Sequence, residues 1–232
     1  MNYHFDSYTK GADYIITDPY PISINATWSR SWNTTVNATY GDSGCDDCKG
    51  ELQDVSNRLD AFFDYQQWLG ALEKPLWAVL QAFSGEKYWL RDPTPEETWA
   101  MMVLSFNHRS KAIMSWTFPA SAVLEAAHGA MAKVATVAPV KDFLLGGQPT
   151  ALMSGNDLLD VAYWTQGSRV MVGLANLDYL AHNATVSLNL PVAVKGIVSQ
   201  PWGSLSYTLT GNGTLHIHGL SSLATSFVVL ET

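Results

Sequence analysis

The sequence has few of the residues on which many site chemistries depend. Of its 232 residues only two are cysteines, Cys45 and Cys48, and charged residues make up 15% of the chain. A zinc ribbon needs a second cysteine pair, which the sequence lacks. It also lacks a glycine-rich phosphate loop and a Gly-x-Ser-x-Gly motif. These absences argue against a zinc ribbon, a P-loop nucleotide site and an esterase-type nucleophile.

The two cysteines stand in the loop Gly44-Cys45-Asp46-Asp47-Cys48. A thioredoxin-type site would need a strand before the pair and a helix opening at its first cysteine, whereas here a sequon-rich loop comes before it. We therefore predict a structural disulfide between Cys45 and Cys48, with a redox or metal role as the alternative.

Charge and hydropathy limit the partners. The net charge of −8 argues against nucleic acid and against an anionic membrane. No run of 18 apolar residues is present, so no membrane span is predicted.

Among the histidines, His216 and His218 are two apart on a predicted strand but have no third ligand nearby in the sequence. We predict no metal and no cofactor.

Five Asn-x-Ser/Thr sequons favour a secreted, extracellular glycoprotein. They are Asn25, Asn33, Asn37, Asn183 and Asn212. A secreted protein needs a leader, yet the segment from Met1 to Asp6 is polar rather than leader-like. We therefore expect the natural N-terminus to lie ahead of Met1.

In the first half, buried strands end in polar and aromatic residues and alternate with helices. Strands are predicted at 12–17, 74–83 and 111–118, and helices at 51–69, 94–108 and 121–136, with a long loop at 23–50. Thr94, Pro95 and Glu97 form the predicted start of the middle helix, as N-cap, first helical residue and capping-box partner. Eight such strand–helix units close into a barrel whose active face is formed by the C-terminal strand ends. We predict that residues 1–148 are a partial TIM-type (β/α) barrel, consisting of about its last three units.

From Thr150 the pattern changes to short alternating segments separated by turn residues. This spacing is typical of an antiparallel β-sandwich. The predicted fold is therefore α/β plus all-β, with a C-terminal sandwich over residues 149–232.

Three stretches resemble the last strands of barrel glycosidases. Ala12–Tyr20 resembles their sixth strand, where a Tyr at the strand end assists the nucleophile. Lys74–Val79 is similar to the seventh strand, and Ile113–Trp116 resembles the eighth, whose Trp forms the floor of the sugar site. Pro75–Phe83 together with Arg91–Glu97 is similar to secreted glycoside-hydrolase-like proteins of fungi and bacteria. The resemblance implies a carbohydrate partner and hydrolysis of O-glycosidic bonds.

The sequence departs from that family at two points. Gln81 stands where the large retaining clan has its glutamate nucleophile, and an amide cannot take that role. The strand that carries the acid/base in that clan has no counterpart among the three units. We therefore expect the chain to be incomplete as a catalyst on its own.

Glycoside hydrolysis uses a pair of carboxyl groups beside the scissile bond. Asp18 is the leading catalytic candidate because it follows a buried strand, and Tyr20 is a candidate to orient it. The alternative is that Asp18 caps the turn at Pro19. Glu86 is a weaker loop candidate.

Four residues are candidates for substrate binding: Gln81, Trp89, Arg91 and Trp116. Trp116 suits a stacking floor, with a place in the core of the barrel end as the alternative. Gln81 suits a sugar hydrogen bond, with a buried amide that satisfies a neighbour as the alternative. Arg91 and Asp92 could instead pair and cap.

These observations predict the C-terminal part of a secreted glycoside hydrolase-like protein. Two alternatives stay open: a non-catalytic, lectin-like carbohydrate-binding protein, and a half-barrel that pairs with a second chain as a homo-oligomer.

Overall fold

The protein is mixed α/β and divides into two compact units, Met1–Glu125 and Ala126–Thr232. The structure is a computed structural model that describes residues 4–37, 39–40, 44–45, 47–70, 73–211 and 213–232. Over these residues, no helix has both the length and the apolar character that a membrane crossing requires. The predicted domain boundary at 148/149 stays a prediction.

The first unit is built around a small parallel sheet. Its elements, in chain order, are α1 (Phe5–Thr9), β1 (Ile15–Thr17), β2 (Trp28–Ser29), β3 (Thr34–Thr35), α2 (Gln53–Trp68), β4 (Leu76–Gln81), α3 (Pro95–Asn107), β5 (Ser110–Trp116) and the start of α4 (Ala122–Ala135). Strands β1, β4 and β5 pair in parallel in the order β1-β4-β5, and β2 and β3 form an antiparallel hairpin. The three predicted strands and three predicted helices are confirmed, although β1 and β4 are shorter than predicted.

The two faces of this sheet differ in exposure. Helices α2 and α3 pack against it. Side chains on one face, among them Ile15, Ala78 and Leu80, are buried. On the other face Ile16 is 44% exposed and Met114 is 45% exposed. Successive side chains of a strand point to opposite faces, so the second face is an apolar surface that these two helices do not cover.

Helix α3 begins as its sequence predicts. The Glu97 backbone N–H donates to Thr94 Oγ1 at 3.2 Å, the Glu97 carboxylate accepts from the Thr94 backbone N–H at 2.7 Å, and Pro95 opens the first turn. Both orphan N–H groups are thereby satisfied, which fixes the helix start between β4 and β5.

The second unit is mainly antiparallel. It contains the rest of α4, then α5 (Val140–Gly146), β6 (Thr150–Ala151), β7 (Leu159–Gln166), β8 (Arg169–Asn176), β9 (His182–Asn189), β10 (Gly196–Trp202), β11 (Ser206–Leu209), β12 (Thr214–Leu220) and β13 (Thr225–Glu231). One sheet has the order β10-β13-β8-β7-β6 and the other β11-β12-β9. Their apolar side chains share one buried cluster, which includes Val172 and Val228 from the larger sheet and Leu188 and Ile217 from the smaller. The short alternating segments predicted from Thr150 onward correspond to β6–β13.

Candidate functional site

The C-terminal ends of the parallel strands bring predicted site residues to one edge of the sheet. Gln81 and Trp116 are the last residues of β4 and β5 and are directly paired, while Asp18 follows the last residue of β1. Neighbouring strands are about 4.8 Å apart, and the register places Asp18 two residues before the level of the Gln81–Trp116 pair. In barrel enzymes this edge is where the active site is built.

Asp18 and Tyr20 form a hydrogen-bonded pair at the end of β1. The Asp18 side chain is exposed, whereas Tyr20 is buried. Burial raises the pKa of the Tyr20 hydroxyl, and the neighbouring Asp18 carboxylate and the Glu86 charge raise it further. The tyrosine is therefore protonated at neutral pH, and its hydroxyl donates a hydrogen bond to the Asp18 carboxylate.

Tyr20 is held in place by an aromatic cluster. The Trp89 indole N–H donates to the Tyr20 backbone oxygen at 2.8 Å, and the rings of Phe83 and Trp89 meet the Tyr20 ring edge-on at 5.1 and 6.0 Å. Trp89 is 6% exposed. Its sequence-based assignment to substrate binding is therefore not matched by its position, because its ring and its N–H are both used within the cluster.

Gln81 has no exposed surface. Its Oε1 accepts from the Ile22 backbone N–H at 2.9 Å, and its Nε2 donates to the backbone oxygens of Ile22 at 3.1 Å and Phe83 at 3.2 Å. Of its two predicted roles, this arrangement corresponds to the buried amide that satisfies its neighbours. No polar atom of the amide is presented to solvent for a sugar.

Trp116 is a predicted site residue whose aromatic side chain is exposed to solvent. It is 53% exposed at the end of β5. Its backbone is fixed, since the Trp116 carbonyl accepts from the Ala82 N–H at 2.6 Å. The Phe118 ring, two residues further on, is also exposed. Phe118 was not predicted as a site residue, although an aromatic residue directly before a proline at a strand end was a usable signal.

Arg91 is committed to an internal ion pair. Its guanidinium donates to both carboxylate oxygens of Glu97 at 2.7 Å and to the Asp92 backbone oxygen at 2.9 Å. The Glu97 side chain is fully buried. Arg91 therefore compensates the charge of a buried helix-start carboxylate, that of Glu97 rather than Asp92, and its side chain is about half exposed.

The predicted disulfide between Cys45 and Cys48 is present. The Tyr20 backbone N–H donates to Cys45 Sγ at 3.4 Å. Just after the disulfide, the Asp54 carboxylate accepts from the backbone N–H groups of Lys49, Gly50 and Glu51 at 2.8–3.0 Å. These bonds attach the cysteine loop to helix α2 on one side and to the Tyr20 segment on the other.

Four of the predicted glycosylation sites lie in the described residues and are exposed: Asn25, Asn33, Asn37 and Asn183. Asn212 lies outside the described residues. Over the part of the chain that the structure covers, no group of three or more histidine, cysteine, aspartate or glutamate side chains is placed to hold a metal ion.

No protein-family model and no curated protein matches the chain. Solved structures do match it, and these neighbours are glycoside hydrolases. A candidate α-galactosidase from Bacteroides fragilis gives a TM-score of 0.56 at 12% identity, over 99% of this chain and 45% of the other. An Anoxybacillus α-amylase gives 0.51 at 11% identity, over 100% of this chain and 56% of the other. A GH30 endoxylanase from Clostridium papyrosolvens gives 0.51 at 14% identity, over 100% of this chain and 70% of the other.

The neighbours are TIM-barrel enzymes that this chain matches in part. It spans 56% of the α-amylase and 45% of the α-galactosidase candidate. At identities of 11–14% the likeness shows the fold alone. The structure thus shows a glycosidase-like fold.

Proposed function

We propose that the chain is the C-terminal part of a secreted glycoside hydrolase-like protein that acts on O-glycosidic bonds. In this proposal the β1-β4-β5 sheet belongs to a partial (β/α)8 barrel, and the two antiparallel sheets form its C-terminal β-sandwich. The likeness to barrel glycoside hydrolases over the whole length of this chain supports it.

The observation that carries the proposal is the Asp18–Tyr20 pair at the C-terminal end of a parallel strand. An exposed carboxylate that accepts a hydrogen bond from a buried tyrosine is held in orientation by that bond. Such a group can stabilise positive charge on a sugar ring or hold a ring hydroxyl. Trp116 would supply an apolar face for the same sugar.

Two observations support the proposal that the catalyst is incomplete on its own. Gln81 has no carboxylate and its amide is fully engaged. Ile16 and Met114 lie on the open sheet face, where the interior of a closed barrel would bury them. Further strands, supplied by an additional part of the protein, would cover this face and could carry the second carboxyl group.

A non-catalytic, lectin-like function is the second candidate, and the engaged Gln81 amide favours it. Both functions use the same carbohydrate surface and differ only in turnover.

Pairing of two half-barrels as a homo-oligomer is the third candidate, and the open apolar face of the sheet favours it. Sedimentation of the purified chain distinguishes this candidate from the other two, because paired half-barrels would sediment as a dimer.

The distinguishing experiment measures binding and turnover together. The purified 232-residue chain would be run on native gels that contain soluble starch or xylan, and the same polysaccharides would be assayed for released reducing ends. We expect retarded migration without new reducing ends. Release of reducing ends would contradict the incompleteness, and unchanged migration in both gels would contradict carbohydrate binding.

Secretion and glycosylation are also part of the proposal. The Cys45–Cys48 disulfide and the exposed sequons suit an oxidising, glycosylating compartment. Intact mass and N-terminal sequencing of the native protein after deglycosylation test this. Residues ahead of Met1 and a mass above 25.4 kDa would support a larger barrel enzyme. A native chain that begins at Met1 would favour the lectin-like or paired-half candidates.

A further inference from the structure

The β2–β3 hairpin presents aromatic rings to solvent close to a predicted glycosylation site. Trp32, in the turn between the strands, is 61% exposed, and Tyr40, beyond β3, is 41% exposed. Their ring centroids are 5.9 Å apart and the rings are tilted by 48°. The two rings together form an apolar surface on the hairpin, and polar residues surround it in the sequence.

The side chains around these rings are almost all uncharged and polar. Between Ser23 and Tyr40 the chain has ten Ser, Thr and Asn residues and a single charged residue, Arg30. A neutral sugar is recognised by an apolar ring face with hydroxyls and amides beside it, and the hairpin supplies both kinds of group around Trp32 and Tyr40. The composition of the hairpin therefore favours a sugar as the group that covers Trp32 and Tyr40.

Asn33 is the sequon best placed to supply that sugar. It directly follows Trp32, so the two Cα atoms are about 3.8 Å apart. Within the described residues its side-chain amide has no hydrogen-bond partner, and Thr35, which completes the sequon, is exposed. The Asn37 amide is less available, because its Nδ2 donates to the Thr35 backbone oxygen at 3.2 Å.

We propose that an N-linked glycan on Asn33 packs its first N-acetylglucosamine against the exposed Trp32–Tyr40 rings. The attached sugar is held beside the rings at a high effective concentration, so no external ligand is needed to cover them. This inference rests on the proposed glycosylation and is independent of glycosidase activity.

The hairpin is joined to the candidate site, which gives the glycan a role in the fold. The Ser31 and Tyr88 hydroxyls are hydrogen-bonded at 2.6 Å, and the Tyr88 ring packs on Trp89 at 5.6 Å. Trp89 in turn donates to the Tyr20 backbone oxygen. A glycan that stabilises the hairpin therefore also stabilises the segment that carries Asp18 and Tyr20.

The test uses protein made in a eukaryotic secretory host. Thr35→Val removes the sequon hydroxyl and keeps a β-branched residue in β3. Asn183→Gln, which removes the sequon in the other unit and leaves the Thr185–His218 hydrogen bond in place, is the control. Glycopeptide mass spectrometry reports occupancy. Thermal unfolding and hydrogen exchange of residues 26–37 report stability, in the natural and Trp32→Ala backgrounds.

We expect Asn33 to be occupied and Thr35→Val to lower Tm by about 2–4 °C. We also expect it to speed hydrogen exchange in the hairpin, and endoglycosidase trimming to one N-acetylglucosamine to leave the protection in place. In the Trp32→Ala background, Thr35→Val should change neither the Tm nor the hydrogen exchange of the hairpin. An unoccupied Asn33, an unchanged hairpin in Thr35→Val, or an equal loss with and without Trp32 would overturn the inference. None of these outcomes bears on polysaccharide binding at Trp116.

Discussion

The Gln81 side chain binds both backbone polar groups of Ile22, accepting from its N–H at 2.9 Å and donating to its carbonyl at 3.1 Å. The amide thus acts as a strand partner for the segment that follows β1. A side-chain amide suits this position because its oxygen must accept from the Ile22 N–H and its nitrogen must donate to the Ile22 carbonyl. The position that corresponds to a nucleophile in the resembled enzymes has a structural task in this chain.

Replacing that amide by a carboxylate should destabilise the protein rather than create a nucleophile. In Gln81→Glu one carboxylate oxygen would face the carbonyl oxygens of Ile22 and Phe83, which have no proton to offer. We expect a loss of about 3 kcal/mol in the free energy of unfolding at pH 7. The loss should shrink as the pH falls, because a protonated carboxyl can again donate one hydrogen bond. Urea denaturation at several pH values measures both effects.

Gln67→Glu is the control, since Gln67 lies on an exposed face of α2. It should change stability by no more than about 0.5 kcal/mol. A Gln81→Glu protein as stable as the unaltered chain would contradict the structural role of this amide. A gain of starch or xylan hydrolysis would show instead that a carboxylate at this position can act in catalysis.

The Asp18 carboxylate should be detectable through the pKa of Tyr20. In Asp18→Asn the negative charge is lost while an acceptor oxygen remains, so the pKa of Tyr20 should fall. It should still exceed the ordinary value of 10.0, because burial is the largest cause of the shift. NMR titration of ¹³C-labelled tyrosine, with the signal assigned through Tyr20→Phe, measures it. Asp157→Asn in the other unit should leave the pKa of Tyr20 unchanged, and an unchanged value in Asp18→Asn would contradict the pairing.

Stability should fall at high pH for the same physical reason. Burial also raises the pKa of Tyr207, to about 12. The unfolded chain releases these phenolic protons near pH 10, whereas the folded chain still holds them. The folded state then binds more protons, so the free energy of unfolding decreases as the pH rises above about 10. Denaturation midpoints between pH 8 and 11 should decline, and less steeply in the Tyr20→Phe/Tyr207→Phe double variant. An equal decline in both proteins would argue against these two groups.

The ion pair between Arg91 and Glu97 should contribute more to the free energy of unfolding than an exposed surface pair does. Arg91→Ala leaves the Glu97 carboxylate buried and removes both hydrogen bonds that it accepts from the guanidinium. We expect a loss of about 2 kcal/mol in the free energy of unfolding, a value lowered because the Arg91 side chain is half exposed. Arg91→Lys should lose part of this stabilisation, since a lysine ammonium lacks the planar guanidinium that donates to both carboxylate oxygens.

Lys10→Ala is the matched control, because the Lys10–Asp6 pair at 2.7 Å is largely exposed. That change should cost less than about 0.5 kcal/mol in the unfolding free energy. If Arg91→Ala costs no more than Lys10→Ala, the buried carboxylate does not depend on Arg91.

Local patterns predicted the elements well, and they could not predict which polar groups would be used internally. The Thr94-Pro95-Glu97 start of α3 is local in sequence, so its capping box could be predicted residue by residue. The partner of Gln81 is 59 residues away, at Ile22, and only the pairing of β1 with β4 brings the two together. Trp89 was predicted to bind substrate, and its contact with Tyr20 could not be predicted for the same reason, since Tyr20 is 69 residues away.

The open sheet face was the harder feature to predict. Ile16 and Met114 are apolar residues in buried-looking strands, and nothing in their immediate sequence distinguishes them from core residues. Their exposure of 44% and 45% depends on which other elements cover the sheet. Trp116, by contrast, was predicted at a strand end, and it does lie exposed there.

The most direct test of carbohydrate binding at this edge is titration calorimetry of the chain with maltohexaose and xylohexaose, comparing the unaltered protein with Trp116→Ala. Trp68→Ala is the control, because Trp68 is 81% exposed at the end of α2, away from the strand ends. We predict that one of the two sugars binds and that Trp116→Ala weakens it about tenfold, as the loss of an aromatic stacking surface should do. Trp68→Ala should leave the affinity unchanged. Binding of neither sugar, or equal affinity with and without Trp116, would contradict the proposed site.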